Sequence, residues 1–348
     1  MSTDDIINDN DRVLITGANG FIGTRVVDTL LRYGYRNLVC LMRPSGQNSA
    51  LMKIILERGS PPIEICRGNL LSREDCDKIT EGVSVIYHLA AGRGVKSYPD
   101  AFLNSVVTTR NLLEAAARTN RLKRFVGVSS FSVYSNLKLR RRDVLDETCE
   151  MDREPELRGE AYCYAKVRQD ELTVDFCGRN GIPYVLVRPG TVFGPGNRGL
   201  PGRIGIDLLG LFLHLGGSNR IPFTYVDNCA EAIVLAGLRP GVGGEVFNVV
   251  DDDLPTSREF LNLYKKHVRR FRSIRVPRAA GYLLCSLWEK YSSWSRGQLP
   301  PVFNTRRWSN DWKGNRYSNE KLKTRLGWKP RVSFPEASKR FFEHERGL

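Results

Sequence analysis

A chain of 348 residues, 41% hydrophobic and 26% charged, has material for one large α/β unit plus a smaller lobe; this balance excludes a disordered or fibrous protein. Its eight cysteines form no CxxC pair and its four histidines no zinc spacing, so no metal site is expected and the thiols read as those of a reducing cytoplasm. No stretch approaches the ~18 apolar residues of a membrane span, the start Met1 to Asp11 does not read as a signal peptide, and a net charge of +15 asks for an anionic partner or a solvated basic face.

The first half alternates short β-rich runs with helical periods, the pattern of a parallel sheet covered on both faces. Strands are predicted over 12–16, 38–42, 63–66, 83–88, 124–128 and 184–187, and helices over 21–33, about 101–119 and 160–179. Gly and Pro crowd the stretch 190–217, which predicts loops around a cleft. A strand and a helix return over 223–238 and a strand over 245–250; the remainder reads as mostly helical, with a break at Pro300–Pro301. The expected fold is an α/β Rossmann-type doubly wound parallel sheet over residues 1–190, rejoined by about 223–250. A smaller, mostly helical C-terminal substrate lobe takes 191–222 and 251–348.

Between the first strand and the first helix lies Gly17-Ala18-Asn19-Gly20-Phe21-Ile22-Gly23. A glycine-rich turn at that place lets the backbone approach a pyrophosphate, and the helix N-terminus supplies free N–H donors and a positive dipole. An NAD enzyme carries a carboxylate at the end of the second strand for the ribose 2′-hydroxyl. Here that place reads Leu41-Met42-Arg43-Pro44, and Arg43 suits a 2′-phosphate, which favours NADP over NAD.

Tyr162 and Lys166 stand four apart in a helical pattern and so share one face. A phenol with pKa near ~10 is a poor base, and a neighbouring ammonium favours its ionised form. Tyr164 and Cys163 compete as the reactive neighbour. Upstream, the fifth strand ends in Ser129-Ser130-Phe131-Ser132, and a serine at that edge can donate to a substrate carbonyl. Each of the three serines can equally satisfy backbone groups.

In chain order, TGxxGxxG at Thr16–Gly23, His88-Leu89-Ala90-Ala91, Ser129-Ser130 before Val133-Tyr134, and Tyr162 with Lys166 resemble the extended short-chain dehydrogenase/reductases, the NAD-dependent epimerase/dehydratase superfamily. Arg188-Pro189-Gly190 with Val192-Phe193-Gly194-Pro195, and Leu326-Gly327-Trp328-Lys329-Pro330, extend the resemblance over most of the chain. It implies Ser130, Tyr162 and Lys166 as the catalytic set. It also implies that Asn69-Leu70 stands for the Asp-Leu pair beside adenine, and that Leu89, Ala90, Ala91, Asn104 and Pro189 line the cofactor. Asn104 reads alternatively as a helix cap.

The implied activity is NAD(P)-dependent hydride transfer at a secondary alcohol or ketone of a small molecule. Two branches compete for the substrate. Phe223–Asn228, Ala279–Trp288 and Asn315–Asn319 with Lys321 resemble the 3β-hydroxysteroid and sterol dehydrogenases. The basic lobe suits nucleotide-sugar epimerases and dehydratases with tightly bound NAD, with Arg203, Arg220 and Arg306 as candidate phosphate clamps. A cofactor-sensing scaffold is the non-enzymatic alternative.

Basic runs at Lys138–Arg142, Arg269–Arg278 and Arg306–Arg307 accompany no nucleic-acid motif, so no nucleic-acid partner is expected. The segment Ala279–Trp288 reads as a core helix or as a helix lying on a membrane surface, and a homodimer is compatible with the chain. If Arg43 pairs with a 2′-phosphate, Arg43→Ala weakens NADP binding by about one to two orders of magnitude more than NAD binding. Cofactor titration by fluorescence checks this; equal losses for both cofactors place Arg43 on the shared adenosine instead.

Overall fold

Aliphatic runs buried on both faces build the central sheet in the computed structural model, which describes residues 5–47, 49–59, 61–92, 97–208, 210–295, 298 and 303–347. The break expected at Pro300–Pro301 lies outside those residues. The sheet holds β1 (Arg12–Thr16), β2 (Leu38–Met42), β3 (Glu64–Arg67), β4 (Val83–His88), β5 (Arg124–Val128), β6 (Tyr184–Pro189) and β7 (Glu245–Val249). All neighbours are parallel, in the spatial order 7-6-5-4-1-2-3. The order reverses between β1 and β4, and a crevice outside the carboxyl ends of those strands is where such sheets bind ligands.

Strand periodicity sorts the core into two layers. Val13 and Ile15 of β1 face a cluster with α1 (Gly23–Arg32), α2 (Ser49–Glu57) and α7 (Val226–Leu238). Leu14 faces the opposite cluster, shared by α3 (Arg73–Thr80), α5 (Thr108–Thr119) and α6 (Ala161–Asn180). The predicted 101–119 helix starts earlier, as α4 (Tyr98–Phe102), and passes into α5 through a single π-helical turn, Leu103–Val107. Asn104 sits inside that turn, so it is not a helix cap.

The stretch 190–217 is not simply loops. Thr191–Phe193 pairs in parallel with Phe223–Tyr225. Gly205–Leu208 and Leu211–His214 join Ser273–Arg275 in a three-stranded sheet. Some of the glycines there serve close backbone approach and not turns: a Cβ on Gly190 would fall 2.2 Å from the Pro222 oxygen, and one on Gly205 2.0 Å from the Leu213 oxygen. The C-terminal part then adds α8 (Ser257–His267), α9 (Arg278–Trp294), α10 (Thr305–Trp312), α11 (Glu320–Leu326) and α12 (Phe334–Arg346). Phe260 of α8 meets Phe341 and Phe342 of α12 in an aromatic cluster that also takes Phe193 and Phe223. The late motif is structural, since Trp328 is buried and donates to the Asn228 carbonyl at 3.0 Å.

His88, at the end of β4, ties the layers together. Its Nδ1 pairs with Thr16 Oγ1 at 2.8 Å and its Nε2 with Thr109 Oγ1 at 2.8 Å. Burial first, then the Lys166 cation, push its pKa down to about 3. Above about pH 6.5 the ring is neutral in both the folded and unfolded states; as pH falls from there toward 3, the unfolded chain takes up a proton that the fold refuses, and stability is lost. Wild type should therefore lose stability between pH 6.5 and 4.5 more steeply than His88→Gln, by up to about 1.4 kcal/mol per pH unit. Urea denaturation across that range is the measurement, and parallel slopes would contradict a buried neutral histidine.

Candidate active site

At the carboxyl end of β1 the chain turns through Gly17 in left-handed backbone, φ +69°, and the Gly20 N–H donates to the Gly17 carbonyl at 2.9 Å. A Cβ on Gly23 would come within 2.1 Å of that carbonyl oxygen, so only glycine lets α1 start this close to the strand. A Cβ on Gly20 would meet, beyond its chain neighbours, only the same oxygen, at 3.1 Å. Among the described residues no side chain caps the N-terminus of α1, and its first turn carries no acid. Uncompensated N–H donors beside open space fit the pyrophosphate of a dinucleotide.

Most of the other predicted cofactor residues lie at or just beyond the carboxyl ends of strands of the same sheet. Asn19 Nδ2 donates to the Gln47 carbonyl at 2.9 Å, and Phe21 and Ile22 pack partly buried behind it. Arg43 is exposed beyond β2 and donates to Asn104 Oδ1 at 3.1 Å. Arg67, which sequence reasoning passed over, reaches the Pro44 carbonyl at 2.7 Å. Asn69 uses its oxygen to accept from the Leu71 N–H at 3.0 Å, and its amide NH₂ remains to donate to a ligand. Leu70 is buried, and its carbonyl accepts from Asn111 at 2.9 Å. Leu89, Ala90 and Ala91 follow β4 half-buried, and the Ala90 N–H donates to Thr16 Oγ1 at 3.2 Å. Pro189 ends β6, buried beside Val249 of β7.

Lys166 Nζ on α6 donates to the Val128 carbonyl at 2.7 Å and to Gln169 Oε1 at 2.9 Å. An ammonium has three donors, so one remains for a ligand. Burial pushes its pKa down to about 8, against an upward pull from Asp170. The three serines separate cleanly. Ser129 donates to Asp170 at 2.8 Å, beside the buried Arg188–Asp170 ion pair, and is structural. Ser132 Oγ is buried without a partner. Ser130 Oγ accepts from the Ser132 N–H at 3.1 Å and lines the same cavity as the Tyr162 phenol. Burial raises the phenol's pKa, and the Ser130 hydroxyl pulls it partly back. Tyr164 turns away to stack edge-on with Tyr98 at 5.5 Å. Cys163 points its thiol at the Ser132 carbonyl at 3.0 Å, and burial pushes its pKa up to about 12, so it offers no thiolate.

Ser130 and Tyr162 line a cavity of about 150 Å³ whose far wall is charged. Arg158 is buried there, donating to the Ser132 carbonyl and to Glu160 at 3.1 Å. Arg307 lies 3.4 Å from Glu160, and both Arg307 and Arg203 lie 3.7 Å from Asp311. Burial raises the Glu160 pKa, Asp311 adds to that, and the arginines oppose it. Of the three suggested clamps, Arg203 is here. Arg220 instead holds the Leu254 carbonyl beside a separate, larger groove of about 920 Å³, and Arg306 pairs with Glu154 and Asp152. The two hollows share no lining residue, but Phe131 of the small one packs on Tyr317 of the large one at 5.8 Å. Arg158, Glu160 and Asp311 were not picked out from the sequence; a charged pair directly before the Tyr162 helix was the available signal.

The chain matches the NAD dependent epimerase/dehydratase family over residues 13–249. It is 29% identical over 248 residues to a trifunctional UDP-glucose 4,6-dehydratase/UDP-4-keto-6-deoxy-D-glucose 3,5-epimerase/UDP-4-keto-L-rhamnose-reductase of Arabidopsis thaliana, covering 68% of this chain and 36% of that one. It is 28% identical over 245 residues to 3beta-hydroxysteroid-dehydrogenase/decarboxylase isoform 2 of the same plant, covering 67% and 42%. The match thus spans less than half the length of these relatives. The UDP-glucuronic acid 4-epimerase of Bacillus cereus, solved with UDP-glucuronic acid and NAD, shares the fold with TM-score 0.72 at 21% identity, over 97% of this chain and 99% of that one.

Gly20→Val should abolish dinucleotide binding in a protein that still folds, because the side chain fills open space. Gly23→Val should instead unfold or melt early, overpacking costing about 1–3 kcal/mol or more against fixed backbone. Cofactor titration alongside thermal melts separates the two; unchanged binding by folded Gly20→Val would move the phosphate site elsewhere.

Proposed function

The chain belongs to the NAD dependent epimerase/dehydratase family, and within it we propose an NAD(P)-linked oxidoreductase acting at a secondary alcohol or ketone of a hydroxylated, anionic small molecule. The observation that carries this reading is that Ser130 and Tyr162 share the wall of one cavity, with the buried Lys166 ammonium on the same helix as the tyrosine. A bound dinucleotide supplies the two-electron exchange with the substrate carbon. The turn Gly17–Gly23 holds its pyrophosphate, with Arg43, Asn69, Leu70, Leu89 to Ala91, Asn104 and Pro189 around the remainder. Ser130 donates to the substrate oxygen, and Tyr162 takes the hydroxyl proton in oxidation or returns it in reduction. Lys166, positive below about pH 8, favours the phenolate and keeps one donor for the cofactor ribose.

The charged wall favours a nucleotide-sugar type of substrate over a sterol. Apolar rings packed on Arg158, Glu160, Arg203 and Asp311 would strip water from four ionic groups and return no hydrogen bonds. Arg43 supports NADP, as argued from the sequence. Residues 191–222 and 251–348 serve as the substrate lobe in this reading, since Thr191, Arg203 and Asp311 reach the cavity from them. Eight free thiols suit a cytoplasmic setting.

Tyr162→Phe keeps the ring and loses the proton-transferring hydroxyl. Turnover of NADP with a panel of nucleotide sugars should fall by about 10²–10⁴-fold while cofactor affinity holds. A variant retaining more than half the wild-type rate would remove Tyr162 from the chemistry.

A further inference from the structure

Helix α9 packs through one side only. Gly281 and Cys285 are buried toward Trp308 and Trp312 of α10, and Trp288 packs edge-on against Phe303. At 100° per residue, Leu283, Leu284, Leu287, Tyr291 and Trp294 fall within an arc of about 100° on the other side. They are 49–77% exposed, with Trp294 the most open, and the Tyr291 and Trp294 rings stack at 5.7 Å. Nothing among the described residues covers this stripe. The strand leading into α9, Ser273–Arg275, belongs to the three-stranded sheet. Phe212 and His214 of that sheet are buried, while Leu208 and Ile274 are more than half exposed.

The stripe has basic surroundings. From Lys265 to Lys290 the chain carries eight lysines and arginines and a single acid, Glu289. That acid is turned onto Thr305, accepting from its N–H at 3.1 Å and its hydroxyl at 2.9 Å. Arg270, Arg272 and Arg275 are exposed and form no ion pair among the described residues. Among the described residues no helix is long and apolar enough to cross a membrane.

We propose that α9 and the arginine run before it dock this protein on an anionic lipid surface, with Leu283, Leu287 and Trp294 entering the headgroup boundary. Apolar side chains on one face, amphipathic Tyr and Trp rings at its end and a run of exposed cations in the chain leading into it are the chemistry of an in-plane interfacial helix. A second copy of the chain is a poor occupant, because each copy carries a net charge of +15 and like charge opposes self-association. The substrate cavity is polar, so the apolar stripe answers to the surface on which the enzyme works rather than to its chemistry. The inference is independent of the proposed activity.

The test is cosedimentation of the full chain with vesicles of phosphatidylcholine, with and without phosphatidylglycerol, at low and high salt. Binding should be at least roughly tenfold stronger to the anionic vesicles, weaken with salt, and blue-shift tryptophan emission. Leu287→Glu with Trp294→Glu should abolish it while circular dichroism and melting temperature hold, because both side chains are exposed. Arg270→Ser with Arg272→Ser and Arg275→Ser, three surface positions, should weaken binding to anionic vesicles alone, and this stands even should the first pair disturb folding. No vesicle binding, or equal binding to both vesicle types, overturns the proposal. So does a wild-type dimer by light scattering that Leu287→Glu with Trp294→Glu converts to monomer without any vesicle effect.

Discussion

Taking the Lys166 ammonium out of water costs several kcal/mol unless hydrogen bonds offset it, and the fold supplies those bonds from separate elements. The carbonyl of Val128, at the end of β5, takes one N–H, and Gln169, one helical turn away, takes a second. Gln169 must then present its NH₂ to Thr109, at 2.8 Å. Thr109 spends its own proton on the Ser105 carbonyl at 2.6 Å, so it can only accept from His88. The histidine is therefore protonated on Nε2, and its bare Nδ1 accepts from Thr16, whose oxygen in turn accepts from the Ala90 N–H. The directions close without conflict only for a neutral ring. Two runs of donors, one from Ala90 through Thr16 and His88 and one from Lys166 through Gln169, thus converge on Thr109, and the network links the end of β4 to the lysine and orients both.

The substrate side is arranged by a different balance. Arg158 is buried against the Ser132 carbonyl and Glu160, and Glu160 and Asp311 are shared among Arg158, Arg203 and Arg307. Asp152 adjoins Arg158 and pairs, with Glu154, to Arg306, so four cations face four carboxylates and the buried charges are balanced within the protein. Over an aromatic core, the same lobe is charged at the cavity and apolar along the exposed stripe of α9, so the cavity and the outer helix call for different partners.

Motifs whose chemistry is local were legible in the sequence. Gly17, Gly20 and Gly23 announce a close strand-to-helix turn whatever surrounds them, and the 3.6-residue period puts Tyr162 and Lys166 on one face without tertiary knowledge. Choosing Ser130 over Ser129 and Ser132 was beyond periodicity alone, because it depends on Asp170 and Arg188 reaching Ser129 from α6 and β6. Gln169 and Thr109 stayed invisible for the same reason, being ordinary polar residues until the sheet brings them together. The strands within 190–217 were missed because glycine marks turns and close backbone approach alike. The helix 279–288 was read as core or surface with equal chemistry, and only the position of α10 decides which side is covered.

Cofactor choice turns on what a ribose 2′-position would meet. A 2′-hydroxyl binds best to a carboxylate acceptor; a 2′-phosphate needs donors and positive charge. Beyond β2 the chain offers Arg43, and beyond β3 it offers Arg67, two guanidiniums with donors only. The carboxylate nearest in connectivity, Asp100, is held away from Arg43 by an intervening amide: Asn104 Nδ2 donates to Asp100, and Asn104 Oδ1 accepts from Arg43. The π-helical turn at Leu103–Val107 is where Asn104 sits between them. Arg43 is thereby aimed by a neutral group and not neutralised by an acid. Its charge stays available to a phosphate, and this is the physical ground for proposing NADP.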